Sequence, residues 1–140
     1  MISKSIVVRR PLQTAFDAFT RQIGKWWPLR QGFSFGRERA GEIFMEQHVG
    51  GRFFERLIDG EEILIGLVTG YAPPSRVVFT WKAPGWSRST EVEVRFSTVD
   101  SGTRVELEHR GLERAAAEQE KSYSGGWDLI LERYAGATAI

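Results

Sequence analysis

Few side chains in this 140-residue chain can do chemistry, and that scarcity limits the reactions open to it. There is no cysteine, and His48 and His109 are the two histidines. A disulfide framework, a thiolate site and a zinc centre are therefore not expected. The histidines fall in different strand-like runs with no carboxylate at metal-ligand spacing, so neither a metal nor another cofactor is anticipated. His109 shares the apolar face of its run with Val105 and Leu107. It is either an imidazole that binds or protonates a ligand or a structural histidine satisfied in the core. Glu55 alternates with Phe53 and Leu57 and so faces the same interior. A buried carboxylate there suits general acid or base work, and a salt bridge to Arg52, Arg56 or another arginine is the structural alternative. Tyr71 completes the acid–base candidates. No Ser-His-Asp order, GxSxG elbow or phosphate loop is present, and Gly50-Gly51 reads as a turn device. Hydrolase and nucleotide-transfer chemistry have no support.

The elements that must position these groups follow from periodicity. Ser3 to Val8 reads as a strand, and Pro11 opens a short helix in which Leu12, Ala15, Phe16 and Phe19 form one stripe. Ile23 and the Trp26-Trp27 pair continue into a second turn, and Gln31 to Gly41, which contains Phe33 and Phe35, is a loop suited to a lid. Glu42 to His48, Arg52 to Leu57, Glu62 to Tyr71, Arg76 to Lys82, Thr90 to Thr98 and Thr103 to Arg110 each read as strands. In Glu62 to Tyr71, strict alternation puts Ile63, Ile65, Leu67, Thr69 and Tyr71 on one face. Two wet-faced strands at the end require an apolar cover. The segment from about Glu113 to Tyr134 supplies it, with Tyr123, Trp127, Ile130, Leu131 and Tyr134 on one side of a helix. Gly125-Gly126 is a blemish there that close packing would explain.

Length and charge bound the rest. One α+β domain spanning residues 1–140 is expected, and a formal charge of +1 gives no bias towards nucleic acid or an anionic membrane. The N-terminal apolar run of three residues is too short for an export signal or a membrane span, so no membrane insertion and a cytoplasmic location are the expectation.

The phrases VGGRFFER (49–56), GLVTGYAPPSRVVFTW (66–81), TRVELEHRGL (103–112) and GGWDLILERY (125–134) together resemble the START-like or SRPBCC superfamily. Within it they are most similar to the branch named after the homologue of the activator of the heat-shock-protein-90 ATPase. The resemblance implies a helix-grip fold: a curved antiparallel sheet of about seven strands wrapped round a long C-terminal helix, with two short helices after the first strand. It also implies a cavity between sheet and helix for an apolar small molecule. The histidine-rich metal pattern of oxygenase relatives is missing. Many relatives carry a histidine where this chain has Tyr123. Nothing like the chaperone-engaging domain of the eukaryotic activator precedes Ser3, so direct chaperone activation is not expected.

Three functional readings follow. The first is a cytoplasmic, stress-related binding protein for a lipid-like, aromatic or polyketide-like ligand. Trp26, Trp27 and Phe33 would form the cavity mouth, the alternative for the Trp pair being a core plug between helix and sheet, and Phe53, Ile65, Leu67, Phe79, Trp81 and Val94 the sheet wall. His109 on the inner face of the last strand and Tyr123 and Trp127 on the helix would complete the lining. The second is a cyclase or dehydratase using Glu55 or His109 with Tyr71. The third is an interaction module for a chaperone or a second copy of the chain, a homodimer, through an exposed Trp86 and the lid.

Overall fold

In the computed structural model, which describes residues 1–138, the chain forms one seven-stranded antiparallel sheet gripping a C-terminal helix. The strands are β1 (Ile2–Val8), β2 (Glu42–Met45), β3 (Arg52–Arg56), β4 (Glu62–Ala72), β5 (Arg76–Trp81), β6 (Thr90–Val99) and β7 (Gly102–Arg110). Their order is β1-β7-β6-β5-β4-β3-β2, so the first two strands in sequence are the two edges of the sheet. The connection between them carries α1 (Leu12–Phe19) and three 3-10 turns. After β7 come the single turn α2 (Leu112–Ala115) and the long helix α3 (Glu120–Thr138).

The apolar stripe of α1 is buried as its spacing requires, with Ala15, Phe16 and Phe19 fully covered. Pro11 caps the helix through its carbonyl, which accepts from Ala15 N–H at 3.0 Å. On α3, Trp127, Ile130, Leu131 and Tyr134 face the sheet. The Tyr134 hydroxyl donates to Ala15 O at 2.8 Å, and Arg10 Nε donates to Thr138 O at 2.8 Å, so α3 is pinned to α1 and to the end of β1. Phe16, Phe19, Trp26 and Tyr134 fill this end of the interior with tilted and edge-to-face ring contacts.

Two strands depart from strict alternation. β2 ends at Met45, three residues short of the expected end, and just beyond it the half-exposed Glu46 accepts Arg52 N–H through Oε1 at 2.7 Å. In β4, the pairing register shifts opposite Phe53/Phe54 and again between Val68 and Gly70. Each shift is a bulge that turns the following side chains over. The inward residues are consequently Ile65 and Val68, and Leu67 is outside with 44% of its surface exposed. Gly66 sits at the first bulge, where a β-carbon would lie 1.8 Å from Thr80 O. Only glycine lets β4 approach β5 this closely.

Candidate functional site

The interior is not filled uniformly. At the end remote from α1, between α3, the β3–β5 wall and residues 32–35, lies a pocket of about 220 Å³. Trp27, Trp81 and Trp127 meet at one corner of it, with ring centroids separated by 6.1, 6.0 and 5.9 Å and planes inclined by 35°, 86° and 60°. Phe33, Phe35, Ile65 and Ile130 complete the apolar lining, and Ser34, Ser122, Tyr123 and Glu55 supply its polar groups.

Glu55 is the chemically distinctive member. It sits on β3 between Phe54 and Arg56, paired with Ile43 and Ile63, and is 1% exposed. Arg52 and Arg56 on the other face bond Glu46 and Glu62 instead, so the salt bridge considered for Glu55 is not formed. Its partners come from the loop: Ser34 Oγ–H donates to Oε1 at 2.5 Å and Phe35 N–H donates to Oε2 at 2.8 Å. Ser34 Oγ in turn accepts Gly36 N–H at 3.0 Å, and Trp27 Nε1–H donates to Phe33 O at 3.0 Å. The loop over the pocket is thus tied down by a carboxylate and an indole.

His109 is brought next to the site but not into its lining. The Trp127 indole N–H, a donor only, points at His109 Nδ1 at 3.0 Å, so Nδ1 is the acceptor and Nε2 carries the proton. Nε2–H donates to Thr90 Oγ1 at 2.7 Å, and Thr90 Oγ1–H donates to Trp81 O at 2.8 Å. Both imidazole nitrogens are consumed within the protein. Burial holds the ring's pKa down at about 4. His109 is therefore the satisfied core histidine, and it presents no free nitrogen to the pocket. Tyr71 packs on Phe16 at the filled end, with centroids 5.6 Å apart, so Glu55, His109 and Tyr71 do not form one constellation.

The other anticipated residues divide clearly. Trp27, Phe33, Ile65, Trp81, Tyr123 and Trp127 line the pocket. Phe53, Phe79 and Val94 are fully buried, and Phe53 stands against both Trp27 and Trp81. Trp26 belongs to the filled end, where its Nε1–H donates to Ala18 O at 2.7 Å. Leu67 is on the outside for the reason given above. Trp86 is half-buried rather than exposed, its ring packed at a tilt of 46° against Tyr123 with centroids 5.5 Å apart, which removes it as a free docking residue. Tyr123 also accepts Trp81 Nε1–H at 3.1 Å, and desolvation raises its hydroxyl's pKa. Sequence reasoning passed over Ser34, Phe35, Ser122, Gly126 and Ile130 as site residues. Gly126 had a readable signal as a helix glycine, and a β-carbon there would sit 3.3 Å from the Phe33 ring. Among the described residues no cluster of three His, Cys, Asp or Glu suited to a metal occurs, and no helix is long and apolar enough to cross a membrane.

The family profile for "Activator of Hsp90 ATPase homolog 1-like protein" matches residues 9–137. The chain belongs to this family. For this member of the activator-of-Hsp90-ATPase homologue family, a comparison with curated protein sequences found no match. Among solved structures, the anthrahydroquino-γ-pyrone synthase Txn09, in a complex, is 38% identical over 81% of this chain and 77% of its own, with a TM-score of 0.57. The Aha1 dimer of Colwellia psychrerythraea, 18% identical, superposes over 99% of this chain and 96% of its own at a TM-score of 0.74. CalU16 of Micromonospora echinospora, 22% identical, covers 95% of this chain and 69% of its own at 0.60. The last two show the fold alone.

Proposed function

We propose that this chain is a binding protein for a small aromatic, polyketide-like molecule, held in the pocket between β3–β5, α3 and residues 32–35. The observation that carries this reading is the buried Glu55 carboxylate set in a largely aromatic and aliphatic lining. A pocket that is mostly apolar with a few convergent polar groups is the usual form of a small-molecule site. The likeness to a synthase of fused aromatic rings supports the ligand class. The described pocket, about 220 Å³, is below the ~300–1,000 Å³ typical for drug-sized ligands. A one- or two-ring molecule fits as the loop stands, and a larger one requires residues 32–35 to move outward. Titration with 5-hydroxy-1,4-naphthoquinone, which is uncharged at pH 7, read by quenching of the three clustered tryptophans, is expected to saturate and to weaken in Trp27→Leu. Linear, non-saturating quenching together with an unchanged melting temperature would end this reading.

Glu55 also favours a second reading, a ring-closing enzyme. A carboxylate in the pocket wall can take a proton from an acidic carbon or phenol of a bound polyketide and return it to the product, which is general acid–base work. Tyr123 hydroxyl lines the same space as a hydrogen-bond donor to a developing oxyanion. In that case Glu55→Gln retains ligand binding but loses turnover of a linear polyketide analogue. Equal turnover by the wild type and the variant would remove Glu55 from the chemistry.

A further inference from the structure

Glu55 has a property that a general apolar pocket does not require. It is a carboxylate 1% exposed, held on two sides by neutral donors, with no cationic side chain paired to it among the described residues. No lysine, arginine or histidine lines the pocket. The two hydrogen bonds leave acceptor capacity on both oxygens. Its surroundings are the Trp27, Trp81 and Trp127 indoles and the Phe35 ring, the last 5.8 Å from Trp81. Aromatic faces, indole above all, attract cations through their quadrupole, and the attraction grows when water is excluded. An anion and three indoles line this one small volume, and an indole face turned to it adds its attraction for a cation to that of the carboxylate.

We infer that the ligand of this pocket carries a positively charged nitrogen, protonated or quaternary, on its aromatic frame, seated between the indole corner and the Glu55 carboxylate. This rests on the reading of the pocket as a small-molecule site and narrows the class of molecule it takes. The carboxylate's desolvation is already met in the folded protein, so an entering cation gains its field without burying that anion anew. An anionic ligand meets repulsion from the same group, and a neutral one gains only contact area. The unpaired carboxylate thus acts as a selector for charge while the rings select for shape.

The test is a pair of probes of equal shape and different charge. Phenyltrimethylammonium and tert-butylbenzene differ by one charge, benzenesulfonate supplies the opposite sign, and 2-naphthol serves as a neutral aromatic that tests the pocket itself. With the full chain, calorimetry or tryptophan quenching is expected to show the cation binding at least about tenfold tighter than its neutral isostere, a modest demand on desolvated cation–aromatic and ion-pair attraction. Benzenesulfonate should bind more weakly than either. In Glu55→Gln the cation's advantage over its neutral isostere, both measured in that variant, should shrink to less than about threefold. If that variant fails to fold, the wild-type comparison decides alone. Binding of 2-naphthol with no advantage for the cation overturns this inference and leaves the pocket reading intact. Failure of all four probes to bind overturns both.

Discussion

At the scale of single residues, the chain Trp127 to His109 to Thr90 to Trp81 O is a buried relay in which every donor has one acceptor. It locks the neutral imidazole, because protonating Nδ1 would set two donors against each other. The pH dependence follows in sign. With a folded pKa of about 4 against an ordinary 6.5, the unfolded chain takes up the proton first. The stabilisation is complete above about pH 6.5 and is lost as pH falls towards 4, by up to about 3 kcal/mol. Urea unfolding between pH 7 and 5.5 isolates this effect. Carboxylates such as Glu93, held below the ordinary value by Arg76 and then Arg110, lose their contribution only at lower pH. A flat stability between pH 7 and 5.5 would contradict the assignment. Thr90→Val removes the acceptor of His109 Nε2–H and the donor to Trp81 O together. Stranding two buried polar groups at about 1–3 kcal/mol each predicts a loss of at least about 2 kcal/mol in the same measurement at pH 7.

At the scale of elements, β4 decides where the pocket wall stands, and its two bulges are set by its partners. Gly66→Ala is expected to cost about 3 kcal/mol or more by denaturant unfolding, since the new methyl would meet the Thr80 carbonyl rather than a movable side chain. Gly125→Ala, with nothing within 4 Å of the new atom, should instead stabilise α3 by about 1 kcal/mol or less. Opposite signs for two Gly→Ala changes would separate close strand approach from helix propensity. The same strand shows what could be read before the structure and what could not. The inward side of β3, β5, β6 and β7 was legible because each alternates without interruption, which put Phe53, Glu55, Phe79, Trp81, Val94 and His109 on the right face. Leu67 was placed wrongly because a bulge is a property of two paired strands, and the local sequence of β4 marks it only as glycine. The partners of Glu55 and His109 come from 20 and 18 positions away or more, across the lid and α3, and no period in the sequence expresses such contacts.

At the scale of the whole molecule, the grip is tight at one end and loose at the other. The α1 end is closed by Phe16, Phe19, Trp26 and Tyr134, and the pocket lies at the other end, where residues 32–35 cover it. Those residues are held by Glu55 through Ser34 and Phe35 and by Trp27 through Phe33. Binding stabilises the fold by mass action, about 2.7 kcal/mol at a free ligand concentration of 100 Kd. Any amides of the central strands β6 and β7 that exchange through global unfolding should then slow by about a hundredfold. The Phe35 amide distinguishes ligand sizes. A single-ring cation that fits within the described 220 Å³ leaves the Phe35 N–H to Glu55 bond in place and slows exchange there too. A three-ring hydroxyanthraquinone has to displace the segment, breaking that bond, so exchange in a peptide covering 30–38 should accelerate while β6 and β7 slow. Uniform slowing with the larger ligand would mean that the pocket expands by another route, with α3 rather than the loop giving way.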